Sequence, residues 1–196
     1  RGVNAPLPTR RDEAWRYSDL DALASVWPLP APERIVLAAG ETLAMQIVEV
    51  GDGIAMRDLS VELGEGARLD LHLLASGAKY GRIAIDVTLR QGAQFHLGGV
   101  QIGGGDQTLE IVTTVNHAEP EAVSRQMVRS VLAGNATGTY LGKVAVARDA
   151  QKTDSEQSVR AMLLDRTATA NAKPELEIFA DDVKCAHGCA VGELDA

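Results

Sequence analysis

The sequence predicts a mainly β fold in which short strands stack on one another, and three observations predict it. From Ile35 to about Leu109 the chain alternates apolar and polar residues in short runs broken by glycine. That is the period of a strand with one buried face. Next, Val61-Glu62-Leu63-Gly64-Glu65-Gly66-Ala67-Arg68-Leu69-Asp70-Leu71 aligns with Val87-Thr88-Leu89-Arg90-Gln91-Gly92-Ala93-Gln94-Phe95-His96-Leu97, about 26 residues on. The shared pattern, V-x-L-x-x-G-A-x-apolar-x-L, is a strand, a glycine corner and a second strand. Finally, aromatic residues make up 4% of the chain while glycines number 19, which suits a narrow, regular core. A recurring unit of this kind suggests a β-solenoid, whose coils bury their apolar faces only by stacking. An antiparallel sandwich of hairpins fits the same repeat, and the residues alone leave both open.

Taken in order, residues 10–27 read as helical, because Trp15, Leu20, Leu23 and Trp27 recur at roughly helical spacing. Ser18 or Asp19 is placed to cap a second short helix. The run "PLPAP" at 28–32 breaks the pattern and reads as a junction. The segments 59–63, 68–74, 83–89 and 94–102 then read as strands, with "GDG" at 51–53 and "GGG" at 103–105 as corners. Longer strands follow Thr113, in "EIVTTVNH", "SRQMVRSVLAG", "GTYLGKVAVA" and "SVRAMLLD". Pro174 is expected to open a strand over Leu176, Glu177, Ile178 and Phe179. The organisation is a helical segment and Pro-rich junction over 1–34, then a β core over 35–192.

With 196 residues the chain is long enough to bury a core without disulfides or metal staples. Its formal net charge of -8 argues against nucleic acid or an anionic membrane as the main partner. No apolar run reaches the length of a membrane span and nothing resembles a signal peptide. Two cysteines make no disulfide framework, so the chain reads as cytoplasmic, from a reducing compartment. It begins at Arg1 rather than methionine and stops at Ala196, and so reads as a piece of a longer protein.

Both cysteines fall in one stretch near the end, Cys185-Ala186-His187-Gly188-Cys189. In an extended segment residues two apart share a face. Cys185, His187 and Cys189 would then project together, unless Gly188 turns the chain. Thiolate and imidazole are the donors that zinc, copper and iron–sulfur clusters favour. A closed zinc site takes four ligands and this segment offers at most three, so a metal here needs another chain, a distant histidine or an open position. Two inert thiols beside a satisfied histidine fit the spacing equally well. Other chemistries find less support. In "GNATGTYLGKV" Lys143 is followed by Val144 rather than Ser or Thr, which breaks the phosphate-loop pattern. There is no G-x-S-x-G elbow. His72, His96 and His117 read as surface or satisfied histidines. Asp181 and Asp182 would face opposite ways in a strand and make a poor acid/base pair, which counts against a β-helical carbohydrate-active enzyme.

The terminal stretch "PELEIFADDVKCAHGCAVGELD" closely resembles the signature of the SufB/SufD family of iron–sulfur cluster assembly proteins. Its core of Asp182, Val183, Lys184, Cys185, His187 and Gly188 looks like the D subunit. "DEAWRYSDL" at 12–20 and the segment 116–164 are similar to further family elements. The resemblance implies a right-handed parallel β-helix, and so decides for the solenoid. It implies a non-catalytic scaffold role in a complex with a SufB-type subunit, paired through the β-helices, and a SufC-type ABC ATPase. It also implies a homodimer when the D subunit is alone. It makes His187 a ligand, with Cys185 beside it in a less defined role, for iron or a nascent iron–sulfur cluster shared with the partner. FAD enters only at the level of the complex, with no residue here assigned to it. Cys189 stands where the family commonly has alanine, and no role carries over to it. A helical region that docks the ATPase is expected to begin at 193–196 and to be missing beyond.

Overall fold

The computed structural model describes residues 6–193. The strands in chain order are β1 Glu33–Leu37, β2 Thr42–Val50, β3 Ile54–Leu63, β4 Arg68–Ser76, β5 Tyr80–Leu89, β6 Gln94–Gly103, β7 Thr108–His117, β8 Val123–Leu132, β9 Thr137–Val146, β10 Asp154–Leu163, β11 Thr169–Ile178 and β12 Lys184–Glu193. They form two six-stranded sheets, β1-β3-β5-β7-β9-β11 and β2-β4-β6-β8-β10-β12. Every pairing is parallel and joins strands one turn apart. This is a β-solenoid of about six turns, and the all-parallel pairing excludes the antiparallel sandwich.

The repeat read in the sequence is the stacking register. Val61 pairs with Val87 and Leu63 with Leu89, while Leu69 pairs with Phe95 and Leu71 with Leu97. Each row buries its side chains between the two sheets. A fully buried aliphatic chain there stabilises by about 1.5–3 kcal/mol, and only the turns above and below make the burial complete. The corners form a row of their own. Gly40, Gly66 and Gly92 have positive φ, and each donates its N–H to a carbonyl of the following turn. Glu121 and Lys152 occupy the same place in the next two turns, at φ 64° and 63°, with the same N–H donation.

Two sequence expectations are adjusted. Residues 10–27, read as helical with a second short helix capped at Ser18 or Asp19, are helical only in two short pieces. They form a 3₁₀ turn, Glu13–Trp15, and a short helix α1, Leu20–Ala24. Asp19 caps α1 by accepting from Ala22 N at 3.0 Å, whereas Ser18 turns away to the sheet. The segment bends because it is held by what it covers. Arg82 and Glu110, on the outer face of the first sheet, are 3% and 1% exposed and 2.6 Å apart. Ser18 Oγ donates to the same carboxylate at 2.9 Å, and the Arg82 guanidinium lies 3.8 Å from the centroid of the Trp15 ring. Pro174 does not open a strand. It sits inside β11, where an edge strand tolerates the missing N–H. Glu193 closes β12 as strand, and the rest of the segment expected to start a helical region, 194–196, lies outside the described residues.

Candidate functional site

β12 is extended throughout, so Gly188 does not turn the chain. Cys185, His187 and Cys189 therefore share one face. It is the inward face, because they stand in register with Ser155, Gln157 and Val159 of β10, all buried between the sheets. Cys185 is half-buried and packs against the main core, whereas His187 and Cys189 are exposed.

The rows that end on these residues change character along the solenoid. One runs Leu69, Phe95, Ser124, Ser155, Cys185, and its neighbour runs Leu71, Leu97, Gln126, Gln157, His187. Both begin apolar and turn polar midway, inside the core. Buried polar groups need partners, and these largely find one another. His117 Nε2 lies 2.9 Å from Ser124 Oγ, which lies 2.9 Å from Ser155 Oγ. The Tyr140 hydroxyl donates to Gln126 Oε1 at 3.2 Å, accepts from Gln157 Nε2 at 3.1 Å and lies 3.1 Å from Thr113 Oγ1. Gln157 Oε1 is buried and takes no hydrogen bond from the described residues. It is an unused acceptor on the residue in register with His187.

Burial sets the ionisation of these groups. It pushes Tyr140 up to about 12, so the hub hydroxyl keeps its proton. It drives His117 down to about 4 against the opposing pull of the Ala122 backbone and Asp154, so this imidazole is neutral at pH 7. Burial also raises the Cys185 thiol, partly offset by a hydrogen bond with the Ser155 backbone. Burial thus favours the protonated thiol at Cys185, and any chemistry that needs its thiolate would strengthen as pH rises.

Side chains two apart on one strand start about 6.6 Å apart along it, so two of them reach one ion only by leaning toward each other, and the strand alone closes no four-ligand shell. No group of three or more His, Cys, Asp or Glu able to hold a metal gathers among the described residues. What the strand offers is a row of separated soft donors, suited to a multi-atom cargo or to a site completed by other donors.

The remaining histidines lie elsewhere. His117 is in the core. His96, on the outer face of the second sheet, is 2.9 Å from Asp70 and 3.2 Å from Arg68. His72 is exposed beside Gly98. Asp182 pairs with Lys152 across a corner. The polar core was missed from sequence, although it left a signal. Ser124-Arg125-Gln126, Ser155-Glu156-Gln157 and Cys185-Ala186-His187 put polar pairs at inward positions of successive turns.

Residues 34–196, the solenoid with its terminal Cys/His strand, match the family model for the SUF system FeS cluster assembly, SufBD core domain. The chain belongs to the SufBD family. A SufBD family iron–sulfur cluster assembly protein of Synechocystis is 30% identical over 147 residues, 74% of this chain and 32% of the relative. The iron–sulfur cluster assembly protein SufD of Escherichia coli is 36% identical over 83 residues, 42% of this chain and 20% of the relative. The chloroplastic protein ABCI7 of Arabidopsis thaliana is 35% identical over 129 residues, 62% of this chain and 26% of the relative. The matched SufBD region thus spans 20–32% of the length of these curated relatives. No helix among the described residues is long and apolar enough to cross a membrane.

Proposed function

We propose that this SufBD core is a non-catalytic scaffold for iron–sulfur cluster assembly, in which His187, with Cys185, supplies ligands to iron or a nascent cluster. The observation that carries the reading is the shared inward face of β12, where a thiol and an imidazole stand side by side in register with Ser155 and Gln157. The cluster is cargo, and a SufB-type subunit, paired through the β-helices, provides the donors this chain lacks. Without that partner a second copy takes its place as a homodimer. A SufC-type ATPase docks beyond residue 193, any FAD belongs to the assembled complex, and the compartment is the cytoplasm. Gln157 Oε1 suits the site because a metal-bound imidazole orients itself by donating its other N–H. Nitrogen hyperfine spectroscopy on the complex, purified anaerobically with its SufB-type and SufC-type partners and carrying a reduced cluster, tests the assignment. A histidine nitrogen coupling lost in His187→Ala supports it, and one that persists in the variant rejects it.

A further inference from the structure

The outer faces of the two sheets differ. On the first sheet the rows nearest the strand ends are polar: Arg34, Ser60, Asp86, Thr114, Lys143, Glu175, then Glu62, Thr88, Asn116 and Glu177 around Val36 and Ala145. Of its apolar outward residues, Val112 and Leu141 are 9% and 8% exposed in a cleft that Ala14 also lines, and Val36 stands alone at the edge, 55% exposed. The second sheet has the corresponding apolar row without a cover among the described residues. Val50, Ile102, Val131 and Met162 are 61%, 47%, 37% and 46% exposed, and register places them on one line across β2, β6, β8 and β10, with Ser76 of β4 between the first two. The adjacent row adds Val48 and Val100, 56% and 37% exposed. It then runs through Arg129 and Arg160 to Ala190.

Contiguous exposed apolar surface of this order marks interaction sites. The arginines say what kind. Arg129 lies along the sheet, bonded to the Val128 and Ser158 carbonyls at 2.9 Å and to Ser158 Oγ, and to no carboxylate among the described residues. Arg160 is exposed and makes no ion pair among the described residues. In a chain of net charge -8, two cations left uncompensated beside an apolar row favour an acidic occupant. Shape narrows it further. From Val50 to Met162 the row crosses five strands, and at about 4.8 Å a strand it is straight for roughly 19 Å, the length of a helix of about 13 residues. The molecule already covers its other sheet in this manner, with a short helical segment that sets Trp15 over Arg82 and Ser18 on Glu110.

We infer that the outer face of the second sheet docks an amphipathic helix of a partner protein, its apolar stripe on the Val50–Ile102–Val131–Met162 row and its acidic flank on Arg129 and Arg160. The mode is helix-in-groove recognition. It does not depend on the reading of His187, and His187→Ala should leave it unchanged.

The probe is a fluorescein-labelled 18-residue designed helix with leucines at i, i+3, i+4 and i+7 spacing and glutamates along one flank, read by fluorescence anisotropy on the full chain. Two controls carry the same composition scrambled, or lysines in place of the flanking glutamates. The acidic helix should bind at least tenfold more tightly than the scrambled peptide, and Ile102→Glu should weaken it at least tenfold. Arg160→Glu should weaken the acidic helix and strengthen the lysine helix, an exchange that loss of folding cannot produce. Equal affinity for acidic and scrambled peptides, or an unchanged charge preference in Arg160→Glu, overturns the proposal. So does a doubling of mass that Ile102→Glu abolishes, because the occupant would then be a second copy of this chain.

Discussion

Gln157 and His187 hold the same rung on neighbouring strands, β10 and β12, and Gln157 Nε2 donates to the Tyr140 hydroxyl at 3.1 Å. The exposed histidine of the site is thereby joined by register to a hydroxyl deep in the core. Tyr140 occupies its place because Gly142, two residues on, has no side chain. A Cβ there would overlap the Tyr140 hydroxyl and lie 2.6 Å from Gln157 Nε2. Gly142→Ala should therefore destabilise by about 1–3 kcal/mol, the usual range for overpacking a filled core. Urea unfolding measures this, and an unchanged midpoint would mean that the hub relaxes freely.

The buried imidazole of His117 predicts a pH dependence. Its folded pKa of about 4 lies below the ordinary value of 6.5. Between those values the unfolded chain binds the proton and the folded chain does not, so stability falls as pH drops. The full loss is about 3 kcal/mol, complete once pH is below both values. Unfolding free energies at pH 7, 5.5 and 4 should decline accordingly. His117→Gln should remove this part of the decline and leave that of the carboxylates.

The corner row supplies a paired test. Gly92 has φ of 63° with open space around its α-carbon, so Gly92→Ala should cost about 1 kcal/mol from backbone strain alone. Glu121 holds the same conformation with a side chain attached. Glu121→Gly should be neutral or stabilising, by up to about 1 kcal/mol. Thermal midpoints moving in these opposite directions would support the equivalence of the two corners, and two losses would refute it.

Those corners also explain how far the sequence could be read. Gly66 and Gly92 carry the same motif, and their separation of 26 residues gives the repeat directly. In the following turns Glu121 and Lys152 replace the glycine while the spacing grows to 29 and then 31. The structure repeats where the motif does not, because backbone bonding to the next turn holds the corner. Strand alternation placed the apolar rows correctly. It gave no warning that Arg82 and Glu110, which point outward, would be buried under the N-terminal segment. Cys185 and His187 were legible as a motif. The polar core next to them was not, since Tyr140, Gln126 and Gln157 meet only across turns.

Arg82 and Glu110 predict a second large effect. Removing one partner of a buried ion pair leaves the other charge uncompensated, at about 3–5 kcal/mol. Glu110→Ala should cost that much, and it should also loosen the segment that Ser18 and Trp15 pin to the sheet. Limited proteolysis should then cut within 6–32 faster than in the parent. Cleavage at the parent rate would place the anchor elsewhere.

The central claim is that His187 delivers a ligand to the cargo of the assembly. Its most direct test is iron and acid-labile sulfide per complex, after anaerobic co-expression with SufB-type and SufC-type partners, for the parent and for His187→Ala. The account predicts that both fall together while the subunit stoichiometry is preserved. Unchanged iron and sulfide in an intact complex would contradict it, and would leave the Cys185–His187 strand a structural edge.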